Sequence, residues 1–145
     1  MNAFRLSTDP AEMDVTAIHA ALGQQYWAVG IPIETVRRCI AGSIPFGIFD
    51  GDRQVAFARA VTDRATFAYV ADVYVLEAYR GRGLARQLMD AMFAHPDLQG
   101  LRRWLLMTRD AHGLYAKYGF TLVAGSDRVM EKVDREIYTR PPRTE

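Results

Sequence analysis

Two glycines one residue apart, Gly81 and Gly83, end an apolar run in Val73-Tyr74-Val75-Leu76-Glu77-Ala78-Tyr79-Arg80-Gly81-Arg82-Gly83-Leu84-Ala85. A buried strand that runs through such a turn into a helix leaves backbone N–H groups free at the helix N-terminus. With the helix dipole they make an anion site. Neither glycine carries a Cβ, so a pyrophosphate can approach the backbone closely. The spacing is not Gly-x-Gly-x-x-Gly, and no acidic residue stands where a ribose-binding one belongs, which disfavours a Rossmann dinucleotide site. No Gly-Lys-Ser/Thr follows, so it is not a P-loop either. The plain alternative is a β-to-α turn that happens to use two glycines.

A second segment decides between these readings. Thr108-Arg109-Asp110-Ala111-His112-Gly113-Leu114-Tyr115-Ala116-Lys117-Tyr118-Gly119-Phe120 follows the next apolar run. With it the chain resembles the GNAT superfamily of acetyl-CoA-dependent N-acetyltransferases. Arg80-x-x-Gly83-x-Ala85 matches that family's Arg/Gln-x-x-Gly-x-Gly/Ala pyrophosphate loop, and Leu114-Tyr115-x-x-x-Gly119-Phe120 matches its second signature. The two motifs stand in the family's order, with one helix and one strand between them.

The resemblance implies an acyl-CoA N-acyltransferase fold, acetyl-CoA as acyl donor and a primary amine as acceptor. The pantetheine arm would lie like an added strand against Val73, Tyr74 and Val75, where two parallel strands splay apart. A backbone N–H near Val73 would stabilise the developing oxyanion. Arg80, Gly81, Arg82, Gly83, Leu84 and Ala85 would form the pyrophosphate loop. The amine would attack the thioester directly, with no acyl-enzyme. Lone Cys39, beside Val36 and Ile40 on a helix, reads as a small core residue.

Tyr115 matches the family's general acid for the departing thiolate. Reference pKa values near 10 for the phenol and 8.5 for a thiol are read here as making that transfer downhill. A packed aromatic is the alternative, with Tyr118 as comparator. Asp72 interrupts the apolar run Phe67–Leu76. Strand alternation puts it on the face of Tyr74, opposite Val73 and Val75. Many members of the family carry a glutamate there, acting as a base through water; here the two readings are a base and a carboxylate paired with Arg59 or Arg109. Thr108 stands where the family often has a coenzyme-contacting Asn. Asp110 reads as a capping residue favoured by the helix dipole, and His112 as a half-exposed helix residue. Tyr26, Trp27 and Ile31 lie in the segment that in this family usually lines the acceptor site, although Trp27 could equally be a core plug. Three scattered histidines make no metal site.

These residues need a framework. The sequence predicts β-α-α-β-β-β-α-β-α-β-β: an α/β fold with a mixed, mostly antiparallel sheet and helices on both faces. Strands are expected at Ala3–Ser7, Phe46–Phe49, Gln54–Val61, Thr66–Leu76, Leu101–Thr108, Phe120–Val123 and Val129–Val133. Asp9, Pro10 and Glu12 read as a capping-box start for the first helix. The second helix is expected over Ile33–Ala41, the third over Leu84–Ala94, and a short one over Ala111–Tyr118. Asp50-Gly51-Asp52 signals a hairpin.

The chain of 145 residues fits one domain, taken as 1–137 with a polar tail at 138–145. Its 18 basic and 17 acidic residues leave a net charge of +1, which argues against a nucleic-acid binder. One cysteine excludes a disulfide framework. No apolar run approaches a membrane span and no signal peptide is evident, so the expectation is a cytoplasmic enzyme without a membrane partner. A homodimer through the C-terminal strands is compatible with the sequence. A non-catalytic acyl-CoA-binding module is the alternative function.

Overall fold

The computed structural model describes residues 4–141. Its sheet has five strands in sequence order: β1 (Arg5–Ser7), β2 (Ile44–Asp50), β3 (Arg53–Thr62), β4 (Phe67–Val75) and β5 (Arg103–Leu105). β1 to β4 pair antiparallel, and β5 joins β4 parallel. Helices α1 (Val15–Gly23) and α2 (Ile33–Ala41) cover one face, while α3 (Leu84–Ala94) covers the other; α4 (His112–Ala116) follows β5.

Each face has its own core. Phe46, Ile48 and Val55 pack with Leu88, Met89 and Met92 of α3. Phe57 and Tyr74 pack with Ile18, Leu22, Val36 and Ile40 of α1 and α2. The β2–β3 hairpin forms as expected: Asp50 pairs with Arg53 around Gly51, whose φ is +59°. α2 and α3 have the bounds that their apolar spacing predicts.

Three expectations are corrected. First, Asp9 and Pro10 open only a 3-10 turn, Pro10–Glu12, with Asp9 accepting from Ala11 N–H. Glu12 pairs with Arg5 instead of closing a capping box. Met13 is buried against Gly47 and Gln54, which holds the backbone extended there. Asp14 then caps α1, accepting from Ala17 N–H, while its own N–H donates to Gln54 Oε1 at 2.9 Å. Second, β5 has three residues, because beyond Leu105 the chain turns away from β4.

Third, no strand forms at Phe120–Val123 or Val129–Val133. So short a β5 offers little edge to pair with, and Leu122, Val129, Met130 and Val133 stay exposed. The strands on which the homodimer expectation rests are therefore absent. Ala3 and the last four residues of the tail lie outside the described residues.

Candidate active site

The site starts from one irregularity in β4. Phe57 pairs with Tyr74 and Arg59 with Ala71, so Asp72 and Val73 together oppose Ala58. This is a β-bulge. Asp72 takes φ +57°, a left-handed conformation that costs a non-glycine residue about 1–2 kcal/mol. Strand alternation breaks there. Ala68 and Val70 face the α3 core, and past the bulge Val73 and Val75 face it too.

The second irregularity is a splay. β4 and β5 last pair at Tyr69 and Leu105. Beyond that point Val70–Val73 and Leu106–Ala111 form opposite walls of a cavity of about 610 Å³. Tyr26, Trp27, Asp72, Val73, Thr108 and Tyr115 all line it, so six of the residues singled out by sequence converge on one space.

Asp72 is tied down at both oxygens. Arg59 Nε donates to Oδ2 at 2.6 Å, and Trp27 Nε1 donates to Oδ1 at 3.0 Å. The pair is nearly sealed, with side chains 11% (Asp72) and 17% (Arg59) exposed. Of the two arginines considered, Arg59 is the partner. Arg109 instead stacks over the Tyr26 ring, its guanidinium carbon 3.5 Å from the ring centroid. Trp27 is 42% exposed and meets Tyr26 edge-on, a cavity wall and not a core plug.

Tyr115 is buried beside Phe120, and burial pushes its phenol above the usual value. Tyr118 is differently placed: its hydroxyl donates to Asp90 Oδ1 at 2.7 Å and is outside the cavity. Its phenol is pushed up to about 12 by burial and by that carboxylate. The expected downhill proton transfer from Tyr115 is wrong in sign. A phenol near 10 delivers a proton to a thiolate of conjugate acid near 8.5 at a cost of about 2 kcal/mol, and burial adds to that cost. What the raised value favours is a hydroxyl that keeps its proton and donates a hydrogen bond to developing negative charge. Thr108 lines the cavity while its Oγ1 accepts from Ala111 N–H at 3.0 Å, capping the turn into α4.

Tyr74 is not in this cavity. It is 5% exposed in the α1–α2 core, and its hydroxyl is the one sealed side-chain polar atom without a partner among the described residues. Burial, then the charges of Asp14 and Asp72, push its phenol well up. Its side chain lines neither this cavity nor the hollow at the start of α3. Cys39 is only partly buried and lines the cavity, unlike the core residue expected from sequence.

A second hollow, about 210 Å³, lies at the start of α3 between Val75, Arg80, Gly81, Gly83, Leu84 and Ala85. Gly81 and Gly83 have φ of +78° and +76°, and a Cβ at either would meet nothing within 4 Å. The turn is thus an open cradle below the free N–H groups of α3. Arg80 Nε donates to Val75 O at 3.2 Å, tying the turn to β4. Arg82 is not in the hollow's lining; its guanidinium lies 5.2 Å over the Tyr79 ring. Ile31 lines the cavity with Tyr26 and Trp27 as their segment suggested, whereas sequence reading missed Tyr69 and Tyr138 as cavity-lining side chains. Tyr138 also closes against Gly30, where a Cβ would meet its carbonyl oxygen at 2.7 Å.

The family model described as an acetyltransferase (GNAT) domain matches residues 42–122. The chain belongs to the GNAT acetyltransferases. Among solved structures, this GNAT domain is similar to a Xanthomonas campestris pv. campestris protein provisionally named a GNAT-family acetyltransferase. The two are 50% identical with a TM-score of 0.93, over 97% of this chain and 99% of that one. A Gibberella zeae protein, provisionally named an acetyltransferase, is 32% identical over 137 aligned positions, covering 79% of this chain and 76% of that protein. A Clostridium acetobutylicum structure containing acetyl-CoA shares the fold at a TM-score of 0.67 and 17% identity, over 92% of this chain and 96% of that one. The five-stranded mixed sheet with helices on both faces is the fold of these neighbours. Among the described residues, no group of three His, Cys, Asp or Glu side chains is placed to hold a metal ion. No described helix is long and apolar enough to cross a membrane.

Proposed function

We propose that this GNAT domain transfers the acetyl group of acetyl-CoA to a primary amine of a small molecule or peptide by direct attack in a ternary complex. One observation carries the reading: the splay of β4 from β5 opens a cavity lined by Tyr115 together with Tyr26 and Trp27. The β4 residues from Val70 to Val75 have no β5 partner. Their edge can receive the pantetheine arm as an added strand. The N–H groups of Arg82 to Ala85 would hold the pyrophosphate.

Each step then has an owner. The amine nitrogen attacks the thioester carbon, and charge developing on its oxygen meets a backbone N–H near Val73. The carbon–sulfur bond breaks, and the Tyr115 hydroxyl donates to the leaving sulfur. The amine's proton passes to water. Asp72 in this reading fixes Arg59 and Trp27 in the cavity wall, since donors occupy both its oxygens.

Calorimetry with acetyl-CoA, CoA and NAD tests the coenzyme, and thiol release over a panel of amines tests the transfer. Binding of both CoA species but not NAD, with release for some amines, is expected. Binding without release for any amine would leave an acyl-CoA-binding module. For Asp72, the expected result of Asp72→Asn is a stability loss of about 1–3 kcal/mol. The acid limb of the kcat–pH profile should remain. Loss of that limb with stability unchanged would restore the base role.

A further inference from the structure

The acceptor half of the cavity has a charge pattern that the transfer reaction alone does not require. Four charged side chains line the space: Arg59, Asp72, Arg109 and Asp110. Arg59 and Asp72 cancel in their short ion pair. Arg109 and Asp110 form no ion pair among the described residues. The wall therefore sums to zero while keeping one available cation and one available anion.

The donors have directions to match. The Arg109 guanidinium stacks on Tyr26, and stacking leaves the N–H groups at its edge free for a planar acceptor. Arg59 spends Nε on Asp72, and its two Nη groups meet no acceptor among the described residues and are not sealed from solvent. Guanidinium forks of this kind fit a carboxylate. Around them the surface is aromatic and apolar: Tyr26, Trp27, Tyr69 and Ile31.

We propose that the acceptor is a zwitterion, a free amino acid with an apolar or aromatic side chain, whose carboxylate is held by Arg109 with the Nη groups of Arg59 in support. The proposal rests on the acetyltransferase reading and narrows it. Asp110 supplies a counter-charge for the incoming ammonium before it loses its proton and attacks. A bare diamine would leave Arg109 unmatched and repelled, and a simple alkylamine would leave its N–H groups unused.

The test uses matched sets: phenylalanine, phenylalaninamide and phenethylamine, with the corresponding tryptophan and methionine sets. In the wild-type protein kcat/KM for the free acid is expected to exceed that for the amide and the decarboxylated amine by about 10- to 100-fold in at least one set. Arg109→Gln should bring that ratio close to one. Arg109→Lys should fall between, keeping the charge and losing the fork. Equal or better use of the decarboxylated amines by the wild type, or a ratio unmoved in Arg109→Gln, overturns the proposal and leaves the transferase reading standing. If no amine is acetylated, titration of the CoA-loaded protein with the same compounds decides. Binding of the free acid alone, lost in Arg109→Gln, supports the zwitterion site while the transfer reading falls. No preference for the acid in binding overturns the site as well.

Discussion

Tyr115→Phe is expected to lower kcat for acetyl transfer by about 10²-fold or more, the effect of removing one positioned acid or donor. That corresponds to about 2.7 kcal/mol of transition-state stabilisation. Phenylalanine keeps the ring that packs on Phe120, so the fold should be unaffected. The acetyl-CoA dissociation constant should stay within about twofold, because the lost interaction belongs to the departing sulfur and not to ground-state binding. The pH profile adds a second readout. Burial raises the Tyr115 phenol above 10, so its protonated form persists to higher pH than a free tyrosine's. Any alkaline limb it causes therefore lies above pH 10 and disappears in the phenylalanine variant. Unchanged kcat across the whole pH range would end the assignment.

Gly83→Glu is expected to weaken acetyl-CoA binding by about 100-fold or more. A carboxylate about 4 Å from a phosphate charge costs about 4 kcal/mol at the effective dielectric of a protein surface. The protein itself offers no clash, since a Cβ at Gly83 meets nothing within 4 Å. The folding cost is backbone strain alone, about 1–2 kcal/mol for an L-residue at φ +76°. Gly83→Ala bears the same strain with neither charge nor reach. Comparing the two by calorimetry isolates the electrostatic part. Equal affinity for wild type and Gly83→Glu would remove the Gly81–Gly83 turn as the phosphate cradle.

Local signals led to the parts of the fold that local chemistry controls. α3 starts at Leu84 because Gly83 can take the left-handed conformation before it, and ends where Pro96 forbids continuation. Gly119, at φ +88°, closes the α4 region as its position suggested. Both motifs converged on adjoining hollows. What escaped depends on partners distant in sequence. Alternation along Phe67–Leu76 gives no sign of the bulge, because a bulge is a mismatch with β3 and not a property of β4. The start of α1 moved because Met13 is claimed by Gln54 and Gly47, over thirty positions away. Phe120–Val123 alternates like a strand but has no edge to join, so pattern alone misled. Tyr69, Tyr138 and the stacking of Arg109 on Tyr26 arise only when four separate segments meet.

The bulge at Asp72 also divides labour along a single strand. Before it, Tyr69 and Asp72 face the loop that carries Tyr26 and Trp27; after it, Val73 and Val75 lead toward the turn that carries Gly81 and Gly83. In the proposed reaction, acceptor recognition and coenzyme recognition would thereby be joined end to end, with one extra residue as the boundary. Changes upstream of that boundary would then alter which amine is accepted without disturbing the register downstream. On this reading the strand is an interchangeable reading head fixed to a constant grip, which would give this architecture room to acquire new acceptors one side chain at a time.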